Sequence, residues 1–458
     1  MSAPSQFLQV LSRELGSKVQ SDAFTTYCYE SDIGKSIRGA PIAVVFPETA
    51  DDISVILKIA NDYGIPVTVR GGGTTVGGET VARSSIIIDT KKLCRFISID
   101  ASGKSVYVEA GMTWIELYDI LRKYHHTFKV APSSVSCTIG GTISVGGFDP
   151  HSYIHGTCAD QVEELEVVLP DGSIKTCNSK NNSEIFRNIL YGNGMIGIIT
   201  KVKMGIKDRH VTSYDSWFAY TSRKSALSDY FSACENGVSD GIMYLEVFNQ
   251  PIVRIEQFEE PVDMGKIKGE HITTFTSDNF YVSHSRYMYA HRIRIRFFPF
   301  LWKYSPVSLN FIDTLYPEKN SIFEMFDYSD KLRSRVKSKG VKMMGNLKMC
   351  LALRVKEDSQ TRPFSPIPSD TKKGDLIFGS YFGTELLSKN YNDYHRIFNH
   401  EMIPKVIEQG GTLYKYCGHV RPFAEKMFSG ERWSYLQSIK KKYDSNNILN
   451  RGVLFERD

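Results

Sequence analysis

Two periods of apolar and polar residues alternate along the chain and predict an ordered succession of helices and strands. Phe7 to Leu15 carries apolar side chains at helical spacing. Pro41-Ile42-Ala43-Val44-Val45-Phe46-Pro47 is continuously apolar between two prolines, which predicts a buried strand. Thr49 then stands where a helix N-cap belongs, Ile53, Ile56, Leu57 and Ala60 form one apolar face, and Gly64 ends that helix. Strands are predicted at Pro66 to Arg70, Ser84 to Asp89, Phe96 to Ile99 and Ser105 to Glu109. Thr113 caps a helix bearing Trp114, Leu117, Ile120 and Leu121. Val162 to Leu169, Pro170-Asp171-Gly172 and Ser173 to Thr176 read as a hairpin around a turn, and Ser183 to Phe186 starts a short helix. Further on, Asn346 to Leu353 alternates at its start and puts Asn346 and Lys348 on one strand face.

Between these elements lie two glycine-rich stretches. The strand ending at Arg70 runs into Gly71-Gly72-Gly73-Thr74-Thr75-Val76-Gly77-Gly78, with five glycines in eight positions. Glycine accepts positive φ and close backbone approach, so successive amides can converge on an anion. Arg70 adds a cation, Thr74 and Thr75 add hydroxyls, and a diphosphate is the natural guest. A dinucleotide fingerprint of the strand-turn-helix kind fits poorly, because Val76 stands at its third glycine and the chain continues into a strand instead of a helix. The second stretch, Pro132 to Gly147, lies about 60 residues further on. Two such loops point to a long ligand gripped at two places; the alternative is a pair of unrelated tight turns.

At 458 residues the chain has room for two or three domains. Its net charge of +5 is mild for that length and does not imply nucleic acid. The eight cysteines lie far apart, without a C-x-x-C pair or a Cys/His cluster at zinc spacing, so no metal site is expected and a reduced, cytoplasmic setting fits. No signal peptide is apparent at the N-terminus, and no stretch reaches the ~20 apolar residues of a membrane span.

The loop at 70–78, Gly140-Gly141 with Gly146-Gly147, Val168-Leu169-Pro170-Asp171-Gly172 and Gly194-Met195-Ile196-Gly197-Ile198-Ile199-Thr200 occur in one register. Together they resemble the FAD-binding domain of the vanillyl-alcohol oxidase, or PCMH-type, flavoproteins over roughly 38–207. Tyr443 to Gly452 resembles the family's closing segment. The implied fold is α+β: a two-subdomain PCMH-type FAD-binding domain over 1–207, an antiparallel-sheet cap over 208–410 and a return to the FAD domain over 411–458. Cys177 to Phe186 and Tyr244 to Gln250 look like cytokinin dehydrogenases. The Arg-Gly-Gly-Gly-Thr-Thr loop looks like the D-lactate and glycolate branch, and Gly410 to Tyr414 resembles decaprenylphosphoryl-ribose oxidase. The departures are equally specific. Thr74 replaces the flavin-linking histidine of cytokinin dehydrogenases, whose catalytic aspartate aligns near Ser133, and Ser134 replaces the linking cysteine of berberine-bridge-type enzymes. The lactate branch's His-rich metal motif has no counterpart. FAD is therefore expected without a covalent bond; Cys137, three residues past Ser134, would point to the opposite face of an extended strand.

By the resemblance, Arg70, Gly71, Gly72, Gly73, Thr74, Thr75 and Gly78 would hold the pyrophosphate. Pro132, Ser133, Thr138, Ile139, Gly140, Gly141, Val145 and Gly146 would line the ribityl chain and ring. Ile198 would reach the adenine side, Tyr414 would sit near the flavin, and Asn450 joins these contacts from the closing segment. For chemistry, a base or hydrogen-bond acceptor must face the flavin across the substrate. Lys348 is the first candidate, from a cap strand; Glu246 and His155 follow, with Lys415 and His419 behind them. Each has a bland alternative: a solvated lysine, a salt bridge, a structural histidine. Residues 279–304 contain no acid and mix Arg286, Arg292, Arg294, Arg296 and Lys303 with many aromatics. That composition suits an anionic or apolar substrate, a peripheral membrane contact, an interface or a cap-core helix. The expected function is oxidation of a small organic substrate at a C–OH or C–N carbon, by hydride transfer to flavin N5. A flavin-dependent cyclisation or desaturation is one alternative, and a non-catalytic flavin-binding partner subunit is another. Substrate, electron acceptor and oligomeric state stay open.

Overall fold

The computed structural model describes residues 3–455 except 33, 36, 83, 133, 278–306, 341–342, 357–361, 369–370, 372–374, 387–390, 417–419 and 429. The basic, aromatic stretch 279–304 and His419 thus lie outside the described residues, as does Ser133. The described architecture is α+β, built on three sheets. No described helix is long and apolar enough to cross a membrane.

The first sheet has four strands in the order Val19–Gln20, Val44–Val45, Ile86–Asp89, Val67–Arg70, the last three mutually parallel. Parallel strands are covered on both faces, which is why Ile86, Ile87 and Ile88 are all buried. The helix Ala50–Asp62 makes the crossover between two of them. It starts at a reciprocal capping box in which Thr49 and Asp52 satisfy each other's backbone amides. Its Ile53, Ile56, Leu57 and Ala60 pack with Phe7 and Leu11 of the N-terminal helix and with Val45, Val67 and Ile88. The chain end returns here: Val67 N donates to Ile448 O at 2.8 Å and Asn450 N to Val67 O at 2.8 Å, which closes the exposed edge.

The second sheet is antiparallel, centred on Ile198–Asp208 between Ser105–Glu109 and Val162–Val168. The second glycine-rich stretch is not all loop, for it contains the short helix Ile139–Ile143 against this sheet. Gly140 permits that packing, since a Cβ there would lie 2.8 Å from the Cβ of Ala110.

The third sheet has eight antiparallel strands running from Ser213–Ala219 to Thr412–Leu413 in sequence. Alternation gives it two different faces. One face carries Met243, Leu245, Leu351, Leu353 and Phe378 and meets Phe148 of the first domain. The other carries Ile242, Tyr244, Cys350 and Tyr381 and lies under the helices Arg223–Glu235 and Lys319–Ser338. Lys348 and Glu246 belong to this helix-covered face, directly opposite one another across Gly241–Val247 and Met343–Arg354. Lys348 Nζ reaches Glu246 Oε1 and Asp330 Oδ1, each at 2.7 Å. Arg223 completes the network through Glu246 Oε2 at 2.7 Å and Asp330 at 2.6 Å, and Tyr244 OH donates to Glu246 at 2.8 Å. Both catalytic assignments are therefore corrected: these side chains tie two helices to the back of the sheet.

Burial pushes the Glu246 carboxyl up, but hydrogen bonds from Arg223 and Lys348 outweigh it and hold the group at about 2. A depressed carboxylate contributes stability that is present above its ordinary 4.5 and is lost as pH falls towards 2. Glu246→Gln should therefore cost roughly 3–5 kcal/mol at pH 7, the scale of a broken buried pair, with the deficit shrinking by pH 3. Urea melts of both proteins at the two pH values check this. A deficit that is small at neutral pH, or unchanged in acid, contradicts the assignment.

Candidate functional site

A cavity of about 380 Å³ opens between the glycine-rich stretches of the first domain and the helix-free face of the cap sheet. On one side, the strand Val67–Arg70 delivers Gly71 to Thr75 to its wall. The amides of these five residues donate no hydrogen bond to any described group, and Gly73 has φ +65°. Asn450 fixes the strand end: its Oδ1 accepts from Val69 N at 2.8 Å and its Nδ2 donates to Asn193 O at 2.6 Å. Ile198, Asn193 and Gly194 close that end of the cavity.

The second stretch supplies Pro132, Ser134, Cys137, Thr138, Gly140, Gly141, Val145 and Gly147. Thr138 Oγ1 is buried without a hydrogen-bond partner, and a Cβ on Gly71 would come within 2.3 Å of it. Free amides, an orphaned hydroxyl and a wall that only glycine allows are what an extended, diphosphate-bearing cofactor requires. Ile139 and Gly146 stand just behind: Ile139 is fully buried in the core, and Gly146 abuts Tyr191. Cys137 corrects a further expectation. Residues 134–137 turn, with Cys137 N donating to Ser134 O, so both side chains face the cavity, and Cys137 Sγ lies 3.1 Å from Thr74 Oγ1.

Two loop residues do other work. The Arg70 guanidinium turns away from the cavity, stacks 5.0 Å over the Tyr29 ring and donates to Ser31 O at 3.2 Å. It packs against Gly73 behind the loop and is not among the residues that line the cavity. Gly78 is likewise corrected, because its amide donates to Asp32 Oδ2 at 2.7 Å. Asp32 also receives the Thr75 hydroxyl at 3.2 Å, and burial raises its carboxyl. His155 is not in the site. It sits on the short helix Ser152–His155, where burial and then Lys207 push its imidazole down to about 4 and keep it neutral.

The far wall brings Asp313 and Ser380, which the sequence did not single out, together with Tyr414 and Lys415, which it did. Asp313, Ser380, Tyr414 and Lys415 line the cavity together with Met349, Leu351 and Phe378. Ser380 Oγ donates to Asp313 Oδ1 at 2.6 Å, and Lys415 Nζ lies 3.5 Å from Asp313 Oδ2. Tyr414 OH accepts from Gly147 N at 2.8 Å and so pins the cap to the second stretch. Opposite them, Glu79 accepts from Gly77 N at 3.1 Å. Burial and then Asp32 raise its carboxyl to about 7, with Lys415 opposing. Asp313 was legible as one acid in the apolar strand run Phe311-Ile312-Asp313; nothing local marked Asp32 or Glu79.

Residues 41–178 match the family model described as an FAD binding domain. Over that stretch, which includes both glycine-rich loops, the chain is similar to FAD binding domains. The chain is 28% identical over 213 residues to an uncharacterized oxidoreductase of the fasciation locus of Rhodococcoides fascians, covering 46% of this chain and 48% of that protein. It is 30% identical to cytokinin dehydrogenase 1 of Arabidopsis thaliana, covering 38% and 32% of the two chains. It is 31% identical to the mitochondrial D-lactate dehydrogenase (cytochrome) of the same plant, covering 36% and 30%. The chain thus spans between 30% and 48% of the length of these relatives.

Gly71→Ala places a methyl group against Thr138 Oγ1 inside the FAD cradle. Overpacking of about 1–3 kcal/mol there should weaken FAD by roughly tenfold or more. Titration of apoprotein with FAD checks it; an unchanged affinity would show that the cofactor avoids this wall.

Proposed function

We propose that the protein is an FAD-dependent oxidoreductase that oxidises a small organic substrate at a C–OH or C–N carbon and holds FAD without a covalent bond. The observation that carries the reading is the cavity itself. It has free glycine-loop amides at one wall and the Asp313–Ser380–Lys415 cluster at the other. Gly71 to Thr75 would hold the diphosphate, and Thr138, Gly140, Gly141 and Val145 would support the ring, with Tyr414 joining cap to loop. FAD held there would supply the two-electron acceptor for the substrate's hydride.

The chain's own groups manage the proton. Asp313 is acceptor-only when ionised and has lone pairs left after Ser380 and Lys415 have bonded, so it can take the proton of a substrate hydroxyl or amine. Ser380 fixes the carboxylate's orientation, and the Lys415 ammonium stabilises its charge. The apolar floor of Met349, Leu351 and Phe378 excludes water from that exchange.

Asp313→Asn should slow anaerobic flavin reduction on the order of 10²–10⁴-fold while leaving FAD content unchanged. An undiminished rate in stopped-flow absorbance would remove Asp313 from this role. The absence of a tether follows from Thr74 and Ser134, whose hydroxyls are poor nucleophiles without an activating base. Acid precipitation should release all of the yellow colour, and denatured intact mass should equal the apoprotein. A flavin-sized increment would refute this and point to Cys137, the thiol on the cavity wall.

A further inference from the structure

The charged groups on the cavity wall are unequal in sign. Among the described lining residues the acids are Glu79 and Asp313, and the one cation is Lys415. That cation is already committed to Asp313 at 3.5 Å and is felt by Glu79. Other basic groups near the site are turned elsewhere: Arg70 faces Tyr29 and Ser31, while Lys348 and Arg223 are locked behind the sheet. A carboxylate entering the cavity would lose its hydration, find no uncompensated cation among the described lining residues and meet two acids.

Strand register sorts this face of the sheet into rows. Met349 pairs with Ser380 and Ser380 with Asp313, giving one row that becomes polar towards Lys415. The next row on the same face, Leu351, Phe378 and Leu315, is wholly apolar. Phe148 packs on it from the FAD domain, 5.1 Å from Phe378 between ring centroids. One polar group therefore has a place beside Asp313 and Ser380, and what it is attached to lies against hydrocarbon.

We infer that the substrate is uncharged and apolar-bodied, presenting a single hydroxyl or amine to the Asp313–Ser380–Lys415 row, and that carboxylate-bearing substrates such as 2-hydroxy acids are rejected. This rests on the oxidoreductase reading above and adds the substrate class. It separates this site from an activity like that named for the D-lactate relative, despite the similarity of the FAD domains.

The test uses the FAD-loaded full chain and reads perturbation of the flavin spectrum by benzyl alcohol, D-lactate and oxalate. Benzyl alcohol should bind at least about tenfold more tightly than either anion, since like-charge juxtaposition costs several kcal/mol. Asp313→Asn removes the carboxylate 3.5 Å from Lys415 Nζ and with it one negative charge from the wall, and should tighten oxalate roughly tenfold. Glu79→Gln, read at pH 8 where a carboxyl raised to about 7 is ionised, removes the other acid, should move oxalate the same way and serves if the first variant fails to fold. D-lactate or oxalate binding the wild type as tightly as the alcohol overturns the inference, and so does a folded variant with unchanged oxalate affinity. The variant comparison decides even when the alcohol gives no signal. A protein that takes up no FAD fails the earlier reading instead, and shows it before any ligand is added.

Discussion

A strand's side chains alternate between faces, and in the cap sheet this single constraint decides which polar groups meet the cofactor's cavity. Lys348 and Met349 are neighbours in sequence, yet one is sealed among Glu246, Asp330 and Arg223 while the other lies on the cavity floor. Register extends that choice across three strands, so Met349, Ser380 and Asp313 form one row. A slip of one residue would expose the buried charge network to the cavity and bury Asp313 under helices. The network resists such a slip, because its charges are satisfied only where Arg223 and Asp330 arrive from the covering helices.

The glycine loop is organised by a related division of labour. Its first half, Gly71 to Thr75, keeps free amides on the cavity side. Its second half is anchored by acids, with Gly78 N on Asp32 and Gly77 N on Glu79. Two carboxylates beside the proposed diphosphate site look unfavourable, but they occupy amides that would otherwise compete as anion ligands. They also fix the curvature that aims the remaining amides. Arg70 sits behind the loop near Asp32, where its charge lowers the carboxyl that burial raises.

Much of the FAD domain was legible because its signals are local. The Thr49–Asp52 and Thr113–Glu116 capping boxes, the proline-bounded strand and the Pro170-Asp171-Gly172 turn each act within a few residues. The site's chemistry was less legible because it is assembled from afar. Asp32 reaches Gly78 across 46 residues, and Asp313 meets Ser380 across 67. Alternation separates Lys348 from Met349, but no local pattern tells which face the helices cover. Arg70 read as a phosphate ligand because Tyr29 and Ser31, its partners, come from a different element. Cys137 read as turned away because a strand was assumed where the chain turns.

The central claim is that FAD lies between the glycine-loop wall and the Met349–Ser380–Asp313 row, with Lys348 and Glu246 behind the sheet. The electron density of crystals grown with FAD tests it most directly. The account predicts a diphosphate over the amides of Gly71 to Thr75, and an isoalloxazine ring between Gly140–Val145 and the cap floor within reach of Asp313. A ring placed elsewhere, or a cap sheet in shifted register with Lys348 facing the flavin, would contradict it.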